Sequence, residues 1–179
     1  HRGSDRSAHW RCSLTSMLVI GGSKGIGLET VKRALDEGCS VKAMASSAHE
    51  LQLAHERLEK ISGDALERRD LVTALDGVDT VVTALGLPLN RQTITRPVNL
   101  ISASTAALLD VMKEGEARRL IAVTRPGILT RGSRRGTYRA LLEPSSWRNG
   151  VISRADVADY IVSAIDDPAT IGTSPVLVN

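Results

Sequence analysis

MLVIGGSKGIG, residues 17–27, joins a short apolar run to three spaced glycines and then to a segment that reads as a helix. The run Met17 to Ile20 is too apolar for a half-exposed strand, so it reads as a strand covered by helices on both faces. Each glycine then has a distinct use: Gly21 for a sharp turn off the strand, Gly25 for close approach of a ligand to the backbone, Gly27 for packing of the helix on the sheet. A helix that starts there presents unpaired N–H groups and the positive end of its dipole, which suits a pyrophosphate. The implied ligand is a dinucleotide, held by Gly21, Gly22, Ser23, Lys24, Gly25, Ile26 and Gly27. A glycine-rich loop that only permits tight packing is the alternative; the position between a predicted strand and a predicted helix favours the ligand.

Working outward, Ile26 to Glu37 has its apolar residues near helical spacing and stops at Gly38, a helix-ending residue. SVKAMA (40–45) reads as a second strand, 48–60 as a helix with Leu51, Ala54 and Leu58 on one stripe, 61–64 as a third strand and 67–75 as a helix. DTVVTALG (79–86) reads as a fourth strand, 97–113 as a long Ala- and Leu-rich helix, and 119–124 as a fifth strand. Residues 153–166 form a late helix with a Ser153 cap and Asp156 three residues on, and SPVLVN (174–179) is a final strand. Strands alternating with helices in this way predict an α/β protein of Rossmann type: a doubly wound parallel sheet with helices on both faces, in three α/β/α layers.

With 179 residues and 42% hydrophobic composition, the chain is long enough for one substantial core and too short for two ordinary domains. One domain is expected over 17–179. Residues 1–16 mix Arg, Ser and His without period and read as a disordered leader or expression scar, genuine upstream coding sequence being the alternative. A net charge of +3 argues weakly for nucleic acid or an anionic membrane as partner. No apolar run approaches the roughly 20 residues that span a bilayer, and no secretory apolar segment is present. Cys12 and Cys39 lack metal-ligand spacing, and His49 and His55 are too far apart on their predicted helix to share a metal, so no metal is expected. The expected setting is the cytoplasm, with a small-molecule substrate and a monomer or homodimer.

GGSKGIG is similar to the G-x-x-x-G-x-G turn of the short-chain dehydrogenase/reductase superfamily. The segments RPVNLISASTAALLDVMKEGEARRLIAVT (96–124) and GVISRADVADYIVSAI (150–165) resemble its atypical branch, the NAD(P)H-binding group with the NmrA-like proteins and the biliverdin-IXβ and flavin reductases. The resemblance covers residues 17–179. It implies that Asp64, with Ala65, lies near the adenine and that Thr83, Ala84, Leu85 and Gly86 pass along the cofactor. It places Thr124 where the superfamily often has an active-site Ser or Thr, and Pro126, between Arg125 and Gly127, against the nicotinamide half. Asp64 as a mere helix cap and Thr124 as a plain strand-end hydroxyl both stay open.

An acid at the end of the second strand would accept the ribose hydroxyls of NAD, but Ala45, Ser46 and Ser47 stand there. NADP is therefore favoured, with Ser46 and Lys24 beside its phosphate; NAD stays possible, and so does Lys24 as a solvated charge.

The pattern breaks once. In the superfamily a crossover separates the counterparts of LIAVT and RPGILT, which abut here at Thr124 and Arg125. The superfamily's Tyr-x-x-x-Lys pair is absent as well, and Tyr138 has no Lys at that spacing. The resemblance thus implies that about 35 residues are missing at this join, since neighbouring parallel strands need a connection of a dozen or more. The expected function is an oxidoreductase transferring hydride from NAD(P)H to a small planar acceptor such as a quinone or flavin. An NmrA-like, non-catalytic redox sensor and a sugar-nucleotide epimerase or dehydratase are the alternatives.

Overall fold

The computed structural model describes residues 15–85, 99–123 and 128–179. Its centre is a parallel sheet of five strands, β1 (Ser16–Ile20), β2 (Ser40–Ala45), β3 (Leu58–Ser62), β4 (Thr80–Thr83) and β5 (Arg119–Ala122), in the order β3-β2-β1-β4-β5. β1 is central, with Val19 in register with Ala43 on one side and Val82 on the other. The helices are α1 (Gly25–Asp36), α2 (Arg68–Leu75), α3 (Asn99–Glu114) and α4 (Arg154–Ala164).

Alternation along β1 builds the layers. Met17 and Val19 join Val31, Ala34 and Leu35 of α1 and Val157 and Ile161 of α4 in one core. Leu18 and Ile20 join Leu71 and Leu75 of α2 and Leu108 and Val111 of α3 in the other. Each such side chain, buried, contributes roughly 1.5–3 kcal/mol, which is why the buried run Met17 to Ile20 holds no polar residue. The expected three-layer Rossmann fold is borne out. Among the described residues no helix is long and apolar enough to cross a membrane.

Three expectations change. The helix over 48–60 is not formed: a single 3-10 turn covers Ala48–Glu50, and β3 begins at Leu58, not at 61. Pairing with β2 wins there, starting where Val41 N–H donates to the Arg57 carbonyl (2.8 Å) and continuing as Val41 faces Leu58. His49 and His55 therefore share no helix. The sheet also ends at β5, because the ILT of RPGILT forms β6 (Ile128–Thr130), which pairs in parallel with β8 (Val151–Ser153) in a sheet of its own. Finally, β9 (Val176–Val178) runs antiparallel to β7 (Arg139–Leu141) in a third small sheet. The join at 124–127 lies outside the described residues.

Candidate functional site

In a sheet ordered this way the chain leaves β1 toward β2 and β3 on one side and reaches β4 and β5 on the other, so the crevice at the carboxyl ends of β1 and β4 is the switch point where such folds bind ligands. The glycine turn fills that position. Gly21 has φ +84°, which L side chains avoid, and its N–H donates to the Met44 carbonyl at 2.8 Å, tying the turn to the end of β2. A β-carbon on Gly21 would lie 2.7 Å from the Ala84 carbonyl oxygen, so the turn and the end of β4 touch backbone to backbone. A β-carbon on Gly27 would overlap the Gly21 carbonyl; Gly27 lets the helix pack on the turn itself rather than directly on the sheet. Gly25, at φ +64°, has nothing within 4 Å of where a β-carbon would sit and faces open space.

The start of α1 is left unclosed. Lys24 occupies the capping position in an extended conformation, makes no side-chain capping bond, and no acid lies in the first turn. Free N–H groups and an unneutralised dipole end are what a pyrophosphate requires. The residues present thus fit a dinucleotide phosphate, with Gly25 leaving the space.

Around the turn, the expected contacts gather at the carboxyl ends of the strands. Ala84 N–H donates to the Ile20 carbonyl (2.9 Å), and Thr83, buried, accepts from Val123 N–H (2.9 Å). Leu85 is half-buried, packed against the α2/α3 core. On the β2 side the Ser23 and Ser47 hydroxyls are 3.4 Å apart, and Ser46 is exposed. Lys24 Nζ pairs with Glu50 at 3.3 Å, both side chains largely exposed. Glu50 was hidden from the sequence reading by the helix expected over 48–60. After β3, the Asp64 carboxylate accepts the Leu66 N–H (2.9 Å) and closes its own turn, while Asp64 N–H donates to Asp70 (2.9 Å) and Ala65 is half-buried beside it. Gly86, Thr124 and Pro126 fall outside the described residues.

α4 lies against α1, and its start is closed. Ser153 Oγ accepts from Asp156 N–H (2.9 Å) and donates to the Asp156 carboxylate (2.8 Å). Asp156, fully buried, also accepts from the backbone N–H groups of Arg135 (2.7 Å) and Gly136 (2.9 Å), which fixes the RGSRRG segment, 131–136, over the helix start. One turn on, Asp159 accepts from Arg33 and Arg134, each at 2.8 Å, and from the Tyr138 hydroxyl at 3.2 Å. Burial pushes the Asp159 carboxyl up, but the hydrogen bonds from Arg134 and Arg33 outweigh it and hold it below the usual range. Burial, then the Asp159 charge, pushes the Tyr138 phenol well above its ordinary value. Tyr138 stacks edge-on against Tyr160 at 6.1 Å, and it remains a neutral structural phenol. The sequence signal for the fixed basic segment was its arginine density, which the glycine turn overshadowed.

Comparison with known proteins agrees with this geometry. Residues 21–128 match the model of a family described as NAD(P)H-binding. Among solved structures, the chain is similar to a Rossmann-fold NAD(P)-binding family protein from Shigella flexneri, at 18% identity over 92% of this chain and 93% of that one, with a TM-score of 0.77. It is similar to ChuY, an anaerobilin reductase from Escherichia coli O157:H7, at 18% identity over 92% and 97%, TM-score 0.63. It is also similar to a short-chain dehydrogenase/reductase from Veillonella parvula solved in complex with NADP, at 13% identity over 92% and 94%, TM-score 0.63. No curated protein matches.

Proposed function

Because the chain belongs to the NAD(P)H-binding family, we propose that it is an oxidoreductase that passes hydride from NAD(P)H, with NADPH preferred, to a small planar acceptor such as a quinone or flavin. The observation that carries the reading is the open start of α1, uncapped and free of acids, beside the space at Gly25. The nicotinamide supplies the hydride when bound. The first N–H groups of α1 hold the pyrophosphate; Ser46 and Lys24 lie on the ribose-phosphate side; Asp64 and Ala65 flank the adenine. Thr83, Ala84, Leu85 and Gly86 line the path toward the nicotinamide, with Thr124 and Pro126 at its far end. Tyr138, whose hydroxyl is committed to Asp159 and which has no Lys at the superfamily's spacing, is not assigned as proton donor, and the proton comes from solvent or from the acceptor.

The same reading holds that about 35 residues of the wider pattern are missing at the join after Thr124, where a crossover to a further parallel strand would stand. Support comes from β5, which has no outer neighbour in the sheet among the described residues and borders a cavity of about 650 Å³.

Calorimetric titration tests the cofactor half. NADPH binds more tightly than NADH, and Gly25→Val, which forces a β-branched residue to positive φ and fills the space, weakens NADPH at least ~100-fold, or about 2.7 kcal/mol. A wild-type protein that binds neither nucleotide overturns the reading. NADPH oxidation followed by absorbance with a panel of quinones and flavins tests catalysis; binding without turnover gives the protein a sensing role instead.

A further inference from the structure

We infer that the groove beside α1 receives an oxyanion, phosphate or carboxylate, carried by the acceptor, through Arg131 and Arg154; this rests on the oxidoreductase reading and narrows its substrate class. The groove, about 750 Å³, runs between α1 and the 131–134 segment with the start of α4, and Gly25 is part of its wall, so it opens onto the phosphate turn. It lies on the acceptor side of that turn. Arg119, at the beginning of β5, donates to the carbonyls of Ala164 and Asp167 at the far end of α4, so α4 starts level with the carboxyl end of β5. Lys24 and Ser46, the candidates for the 2′-phosphate, belong to the opposite, β2 side.

Most cations along this groove are committed. Lys32 pairs with Glu29, and Arg33 and Arg134 share Asp159. Arg131 and Arg154 make no ion pair or hydrogen bond among the described residues. Arg154 is the first residue of α4, where a cation opposes the helix dipole, and the one acid of that turn, Asp156, is engaged by Ser153 and the N–H groups of Arg135 and Gly136 instead. A residue that breaks a local rule with no structural return marks a functional position. The segment that carries Arg131 is already held, because Asp156 accepts the N–H groups of Arg135 and Gly136. Two free guanidinium forks on a fixed support suit a phosphate or carboxylate, which they bind through paired charge-assisted hydrogen bonds.

Calorimetry with NADP⁺ saturating compares FMN with riboflavin, and a naphthoquinone carboxylate with its parent naphthoquinone, so that each pair differs by one anion. The wild type binds the anionic member about tenfold more tightly in at least one pair, and the pair identifies phosphate or carboxylate as the group recognised. In Arg131→Gln/Arg154→Gln the preference falls to within about twofold, NADPH affinity changes less than about threefold and the melting temperature does not fall, since no internal contact is lost. Equal binding within both pairs overturns the inference. So does a preference that survives in the double variant, or a variant that loses NADPH rather than the anionic acceptor. If the wild type binds no nicotinamide nucleotide, the cofactor reading fails on its own, and the same pairs titrated without cofactor still decide the groove.

Discussion

α1 and α4 lie side by side and start at the same end of the sheet, yet their first turns are built in opposite ways. At α4 the Ser153 hydroxyl and the buried Asp156 carboxylate satisfy each other, and Asp156 adds two loop N–H groups. At α1 the capping position holds Lys24 with no side-chain bond to the helix, and the first turn carries no acid. A side-chain cap stabilises a helix by ~1 kcal/mol. The chain therefore builds a full cap where a helix only has to hold a loop, and forgoes one where Gly25 leaves the space open. On the proposed reading, the open start keeps its N–H groups for the anion of the cofactor.

The closed start gives the largest effect. Asp156→Ala leaves the Ser153 hydroxyl and the N–H groups of Arg135 and Gly136 without their acceptor. The expected loss is about 3 kcal/mol or more in denaturant unfolding, with a melting temperature lower by ~6–12 °C. NADPH affinity measured well below the melting transition stays within a few-fold, because the start of α1 is untouched. If stability holds and NADPH binding disappears instead, the two helix starts are not separate devices.

The open start gives the next. Lys24 already has the extended backbone of a capping residue, φ −147° and ψ 164°. Lys24→Asp supplies the missing cap and should stabilise the free protein by ~1 kcal/mol. It also sets a carboxylate against the phosphates and weakens NADPH by roughly 30-fold, about 2 kcal/mol. Lys24→Ala separates lost charge from gained cap, with NADPH weaker by only several-fold and stability unchanged, since the exposed pair to Glu50 contributes little. An aspartate variant that is more stable and binds NADPH as before would mean that the phosphates do not rest there.

How much of this was legible in the sequence follows the same division between local and distant. The first strand, the turn and α1 are contiguous, and each leaves its own signal: an apolar run, spaced glycines, a helical period ended by Gly38. The capping pair at α4, three residues apart, was equally readable. The start of β3 was not, because Glu59 and Lys60 face solvent on an edge strand, while Leu51, Ala54 and Leu58 fall on a helical stripe; only pairing with β2 decides between the two. β9 was legible as the final strand within 174–179, whereas β6 to β8 have three residues each, too short to show a period. At the site, the glycines could be assigned singly, whereas the Lys24–Glu50 pair and the hold of Asp156 on residues 135–136 exist only once separate segments meet.

The smallest expected effect concerns the tie between the two helices. Asp159 on α4 takes Arg33 of α1 and Arg134 of the basic segment, and its carboxyl titrates lower in the folded protein than in the unfolded chain. A depressed acid stabilises above its unfolded pKa, about 4, and the stabilisation is lost as pH falls through the folded value. Unfolding free energy measured from pH 6 down to 3 should therefore fall more steeply for the wild type than for Asp159→Asn. The same variant removes the charge beside Tyr138 but leaves its burial, so the phenol should ionise at lower pH in an ultraviolet titration while staying above its ordinary value. If the two stability curves run parallel below pH 5, the Arg33–Asp159–Arg134 cluster adds nothing to the folded state, and α1 and α4 are held together by their apolar faces alone.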